Sequence, residues 1–291
     1  TSTVYEGNIL RDLYEGLVAY SAAGKIIPGV AESWTQSEDG STYTFKLRDN
    51  AKWSNGDPVT AGDFVFSLRR IMNPETGAKY ATVLYPILNA EAINKGEKQG
   101  EELGVKAVDD HTLEITLERP TPYFVDLLAH QTGLPVHPAS VEKFGSDFVK
   151  AGNMVSNGAY MLAEFTPNAQ LKAVKNPNFH DAANVAIDTV VFYPTEDRGA
   201  ALRRFQAGEL HSNDDVPTEQ MAFIEKELAD QFKPAPYLGT YYYALNMKDE
   251  ALAKPEVRRA LSMAIDREFL ADEIWGGTMI AGYSLVPPGI N

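Results

Sequence analysis

The stretch from Tyr43 to Met72, YTFKLRDNAKWSNGDPVTAGDFVFSLRRIM, constrains this chain more than any other. Tyr43, Phe45 and Leu47 alternate with Thr44, Lys46 and Arg48, the period of a strand with one buried face. Asp49-Asn50 predicts a turn. Asn55-Gly56 and Asp57-Pro58 predict a second, because Gly tolerates positive φ and Pro fixes its own. Thr60 is placed as a helix N-cap, with Asp63 three residues on as a variant capping box beside the positive end of the helix dipole. Phe64, Val65, Leu68, Ile71 and Met72 then recur at helical spacing until Asn73-Pro74 stops the helix.

A strand and a capped helix need a core to pack on. With 291 residues and 44% hydrophobic content, the chain has enough for two domains or more. The net charge of −14 excludes nucleic-acid backbone binding, which needs clustered Lys and Arg. The absence of cysteine excludes thiol nucleophiles, thiolate zinc sites and disulfides. No apolar run is long enough to span a bilayer.

Chemistry-bearing patterns are few. No Walker A, G-x-G-x-x-G, G-x-S-x-G or H-E-x-x-H occurs. Asp109, Asp110 and His111 are adjacent and read as a tight turn, with no further ligand at metal-site spacing. Ser140 to Lys143 fits S-x-x-K without the partner motifs of acylating enzymes, and Ser140 is read as a helix N-cap. A carboxylate-pair hydrolase using Asp214 with Glu209 or Glu219 has no second motif behind it. No enzymatic activity, metal or cofactor is expected.

Elsewhere, Ile9, Leu13 and Leu17 step by four and predict a helix. A strand from Ala19, a turn at Ala23-Gly24, a core Trp34 and a hairpin at Asp39-Gly40 follow. Leu134 to Pro138 is an extended, proline-stiffened segment, placed as a crossover between domains. Strands are predicted at Tyr160 to Phe165, Gln170 to Lys175 and Ala186 to Tyr193, and again from Glu209-Leu210. Arg198 to Gln206 is a helix capped by Gly208. Tyr237 to Asn246 reads as a strand with Tyr241 and Tyr243 on one face and Tyr242 on the other. Pro255 opens a helix whose Val257, Ala260, Leu261, Ala264 and Ile265 share a side.

Several runs go beyond pattern: K-W-S-N-G-D-P-V-T-A-G-D-F-V-F-S, N-I-L-R-D-L-Y-E-G-L, L-G-V-K-A-V-D-D-H-T-L-E-I-T-L, N-G-A-Y from Asn157, N-P-N-F from Asn176, P-Y-L-G-T-Y-Y-Y-A-L-N from Pro236 and V-R-R-A-L-S-M-A-I-D-R from Val257. Together they resemble the solute-binding proteins of bacterial ABC importers, family 5 of the peptide/nickel type, and within it the periplasmic oligopeptide-binding proteins. The resemblance implies an α/β fold of the periplasmic-binding-protein type II class, with mixed sheets and flanking helices. Residues 1–14 and 139–239 would form lobe I, 15–138 a small extra domain, and 240–291 the start of a lobe II that is cut short, family members being nearly twice as long.

The same resemblance implies the site. Ser2, Val4 and Glu6 would run along a bound peptide, Tyr80 would pack on it from the small domain, and Asn213, Asp214 and Asp215 would lie in a cleft-lining loop. Asp214 and Asp215 are open to a second reading, as caps of a helix starting at Val216-Pro217. Tyr242 is the implied aromatic contact, with Asn246 ending its run. Gly239 and Ala244 stand where some relatives have cysteine and an acidic residue, which implies a missing disulfide and a changed ligand preference. The implied ligand is an oligopeptide held mainly by its backbone. The alternatives are a dipeptide, murein peptide, oligosaccharide or nickel chelate. The implied partners are an ABC permease and its ATPase, the location the Gram-negative periplasm after removal of a signal peptide, and the state monomeric. A chain of this extent is expected to fold without enclosing its ligand.

Overall fold

The computed structural model describes residues 3–235, 237 and 239–287. The chain divides into residues 1–194 and 195–291. The segment 134–138 lies inside the first unit.

The first unit opens with helix α1 (Val4–Leu13). A ribbon of β1 (Val18–Tyr20) and β2 (Ile26–Pro28) follows, turning at Gly24 with φ +71°. Next come β3 (Ala31–Gln36), β4 (Thr42–Leu47), helices α2 (Ala61–Met72) and α3 (Ala90–Asn94), then β5 (Val105–Asp109) and β6 (Thr112–Thr116). These four strands form an antiparallel sheet in the order β3-β4-β6-β5. Two short helices, α4 (Phe124–Leu128) and α5 (Pro138–Phe144), lead to β7 (Tyr160–Thr166), β8 (Gln170–Lys175) and β9 (Thr189–Phe192), a second antiparallel sheet.

The alternation in β4 is realised as read: Tyr43, Phe45 and Leu47 are buried beside Leu113 and Ile115 of β6 and Phe64, Leu68 and Met72 of α2. Burying one such side chain contributes about 1.5–3 kcal/mol. The junction between strand and helix is set by one carboxylate oxygen. Asp63 Oδ2 accepts the Thr60 N–H at 2.8 Å and the indole N–H of buried Trp53 at 3.0 Å. The helix start and the aromatic turn are therefore fixed to each other.

The same turn is anchored to distant chain. Ser54 N–H donates to the Ser156 carbonyl at 2.7 Å, and Asn178 Nδ2 donates to the Ser54 carbonyl at 2.9 Å. His137 meets the Trp53 ring edge-on at 5.1 Å between centroids, with Nε2 3.1 Å from Asp57 Oδ2.

Several expectations are corrected. The first helix ends at Leu13, because Tyr14 is extended (φ −131°) and Asn157 holds Glu15; Leu17 is buried in the following loop. His137, not Ser140, caps α5: Pro138 occupies the first helical position and the Ser140 N–H donates to His137 Nδ1 at 3.2 Å. Ser140 Oγ, His137 and Asp57 thus line up at 2.9 and 3.1 Å as a Ser–His–Asp series, yet Ser140 and His137 are buried and the imidazole nitrogen serves as the cap. Asp109 Oδ1 accepts the His111 N–H at 2.8 Å, forming the expected turn.

The second unit carries α6 (Arg198–Gln206), α7 (Met221–Glu227) and α8 (Pro255–Met263). Gly208 has φ +76°, as its place after α6 requires. Neither Glu209-Leu210 nor the described part of 237–246 forms a strand. All nine strands among the described residues lie in the first unit, so the tyrosine run has no ladder partner in its own. Tyr241 and Tyr243 still share a side, their rings 6.1 Å apart. Pro255 stands at the first position of α8, but Ala264 caps the helix and Ile265 lies beyond it. On its apolar side Leu261 is exposed, while Val257 is half-buried.

Candidate functional site

In the first unit α1 and the 3₁₀ turn that follows Tyr80 both meet residues 131–133. Thr3 and Glu6 cap α1 reciprocally: Thr3 Oγ1 accepts the Glu6 N–H at 3.2 Å and Glu6 Oε2 accepts the Thr3 N–H at 3.0 Å. Val4 and Glu6 are both exposed. Two residues apart on a helix, they point to nearly opposite sides, so they do not line one edge as an extended segment would. Ser2 lies outside the described residues. Gly7 is buried, and a Cβ there would run into Gln131 Oε1, which seats α1 on residues 131–133.

Tyr80 approaches the same segment from elsewhere in the chain. It precedes a 3₁₀ turn (Ala81–Leu84), is 42% exposed, and its ring centroid is 5.8 Å from that of His130. His130 was not singled out in the sequence. Its signal is local: an N-capping imidazole two residues before Thr132, ahead of Gly133. Burial lowers its pKa, and the Arg11 guanidinium adds to the effect.

Separately, a cavity of about 140 Å³ has walls that include Arg11, Tyr14, Tyr20, Ala129, Leu134 and Phe179, but neither Tyr80 nor His130. Burial pushes the Tyr14 phenol up, and it stays protonated. Burial also raises the Asp12 carboxyl. The floor is pinned by Asn157, whose side chain takes both backbone groups of Glu15: Oδ1 accepts its N–H at 3.1 Å and Nδ2 donates to its carbonyl at 2.8 Å. Glu15 Oε2 pairs with His180 Nε2 at 2.8 Å, both side chains largely buried. Tyrosine rings and a guanidinium thus border a small, largely apolar hollow. Among the described residues, no cluster of His, Cys, Asp or Glu suits a metal ion.

The second unit holds the other predicted residues. Asn213 Nδ2 donates to the Asp215 carbonyl at 2.9 Å, and Asp215 Oδ1 lies 3.8 Å from Arg198. Ser212 Oγ donates to Asp214 Oδ1 at 3.4 Å. Neither aspartate caps the next helix, which begins at Thr218 after Pro217. Tyr242 is 63% exposed. Asn246 Oδ1 accepts the Lys248 N–H at 3.1 Å, a local turn.

Residues 25–291 match the family described as bacterial extracellular solute-binding proteins, family 5 Middle. The chain is 39% identical over 288 residues to the periplasmic oligopeptide-binding protein OppA of Salmonella typhimurium, covering 98% of this chain and 53% of that protein. It is 42% identical over 273 residues to the periplasmic murein peptide-binding protein MppA of Escherichia coli, covering 93% and 50%. The crystal structure of Haemophilus influenzae OppA in complex with RPPGFSPFR superposes with a TM-score of 0.95 at 40% identity, covering all of this chain and 57% of that one. The chain spans about half the length of the relatives it matches. Its mixed α/β fold is that of the peptide-binding class, and the chain belongs to the bacterial extracellular solute-binding proteins, family 5.

Proposed function

We propose that this chain forms part of the solute-binding component of a bacterial ABC importer, taking oligopeptides outside the cytoplasm and delivering them intact to a membrane permease driven by an ATPase. The observation that carries this reading is the fold shared with an OppA solved with a nonapeptide; in this chain α1 and the turn after Tyr80 both meet residues 131–133, and Tyr80 packs on His130. Tyr80 offers apolar area with little rotamer entropy to lose. Contacts to a peptide main chain give affinity without reading side chains.

In this reading residues 1–14 with 139–239 belong to one lobe, 15–138 to an accessory domain and 240–291 to a second lobe. Asn213, Asp214, Asp215, Tyr242 and Asn246 supply contacts from the later segments. The protein acts as a periplasmic monomer, without metal, cofactor or turnover. Likeness to MppA favours a murein peptide as the second reading.

NMR titration of the chain with RPPGFSPFR and with the murein tripeptide tests both. Shifts at Tyr80 and α1 saturating with the nonapeptide support the first reading, and selective response to the tripeptide supports the second. Silence with both at millimolar peptide overturns the proposal.

A further inference from the structure

Three of the five histidines have Nε2 or Nδ1 fixed by the fold, and the differences among them are informative. His137 and His130 are held the same way. In each, Nδ1 faces a backbone N–H a few residues on, that of Ser140 at 3.2 Å or of Thr132 at 3.3 Å, with the hydroxyl of the same residue 2.9 Å away. A nitrogen that accepts a backbone N–H carries no proton, so in both rings the proton sits on Nε2. At His137 that Nε2–H is used by Asp57 Oδ2 at 3.1 Å. His180 gives its own Nε2 to Glu15 Oε2 at 2.8 Å.

His130 is different. Its ring is fixed at Nδ1 by Thr132 and stands against the exposed Tyr80, and among the described residues Nε2 has no protein partner. We infer that His130 is a ligand-contact residue, presenting a neutral, fixed Nε2–H donor to an acceptor oxygen of the bound peptide, either a main-chain carbonyl or the terminal carboxylate. This rests on the peptide-binding reading and names a specificity element within it. The ring stays neutral at pH 7 because burial and then the Arg11 charge oppose protonation. The same guanidinium disfavours a cationic ligand group at this point and favours an oxygen.

The assignment fixes two separable facts, the tautomer and the contact. Histidine-¹⁵N-labelled protein reports the tautomer of all five rings directly, and His130 is expected as Nε2–H at pH 7. Titration then uses trialanine with a free carboxylate and N-acetyl-trialanine amide, which lacks it. A shift of His130 Nε2 with both peptides assigns a carbonyl; a shift with the free acid alone assigns the carboxylate. His130→Phe keeps the ring packing on Tyr80 and removes the donor, so it should weaken binding about three- to tenfold, the span of one neutral hydrogen bond. His130→Gln, which restores an N–H donor, should recover part of that loss.

An Nδ1–H tautomer overturns the inference and leaves peptide binding standing. So does a titration that moves Tyr80 and leaves His130 still, or a His130→Phe protein of unchanged affinity. A titration that moves neither residue overturns the inference together with the peptide-binding reading.

Discussion

Replacing Asn157 by alanine is the most direct test of how the first unit holds its shape. Asn157 is 3% exposed and belongs to no helix or strand, yet its amide satisfies both backbone groups of Glu15, a residue 142 positions away. The substitution removes an acceptor 3.1 Å from one group and a donor 2.8 Å from the other. Each buried polar group left unpaired costs about 1–3 kcal/mol. The neighbouring cavity, lined by Glu15 and Gly158, lets a water reach one of the two, so the sum falls toward the lower half, about 2–3 kcal/mol.

For a unit of this size, a loss of that magnitude lowers the melting temperature by about 4–12 °C. Calorimetry reads the shift, and hydrogen exchange at the Glu15 amide reads its origin. Asn157→Asp should be no better than alanine, because it keeps the acceptor while setting a carboxylate against the Glu15 carbonyl. An Asn157→Ala protein melting within about a degree of its parent, with the Glu15 amide equally protected, would refute the view that this side chain is what ties residue 15 to the segment leading into β7.

Gly158→Ala should also destabilise, since a Cβ there would stand 2.5 Å from the Leu13 carbonyl carbon and 2.6 Å from the Tyr14 nitrogen, both backbone; a loss of about 1–3 kcal/mol is expected in urea unfolding. Asp63→Ala strips the partner from the Trp53 indole and the Thr60 N–H together. It should cost about 2–4 kcal/mol, with a shift in tryptophan emission. Folding lowers the pKa of His130, so the unfolded chain binds more protons below the usual value of about 6.5; this contribution to stability is whole above that pH and is lost as pH falls through the folded value. Chemical unfolding across that range should show a shallower decline for His130→Phe than for the parent.

The elements whose pattern is local were legible. The buried face of β4, the bounds of α2 and the span of α6 with its following glycine all follow from period and punctuation within a few residues. The misses share a cause. Alternation in 237–246 states which side chains share a face, but a strand also needs a neighbouring edge, and no sequence period announces one. Leu17 continues the four-residue step of α1, but Asn157, far along the chain, takes the Glu15 backbone out of the helix. Ser140 lost the cap to His137 although Pro138 marked the first helical position, a signal present in the sequence. His130 escaped notice because its role depends on Tyr80 being brought beside it.

Three of the runs that made the family recognisable, those around Trp53, Asn157 and Asn176, serve as joints. Trp53 and Asp63 lock a turn to a helix, and Ser54 bonds to Ser156 and Asn178. Asn176 Nδ2 donates to the Gly158 carbonyl at 2.9 Å while Asn157 holds Glu15. The bonds of Ser54 and Asn157 join segments more than 100 residues apart, and those of Asp63 and Asn176 tie neighbouring elements, so each residue is needed as that residue and leaves a readable mark. The candidate contacts Val4, Tyr80 and Tyr242 are exposed and bear no such constraint. A site that takes its ligand by the main chain has to be held rigid more than it has to be chemically particular, because ordering it on binding would cost affinity. Relatives named for oligopeptides and for a murein peptide, at 39% and 42% identity, match this chain along most of its length. In the proposed reading, ligand preference changes at positions off the joints, such as half-buried His130 and exposed Ala244, while the joints stay as they are.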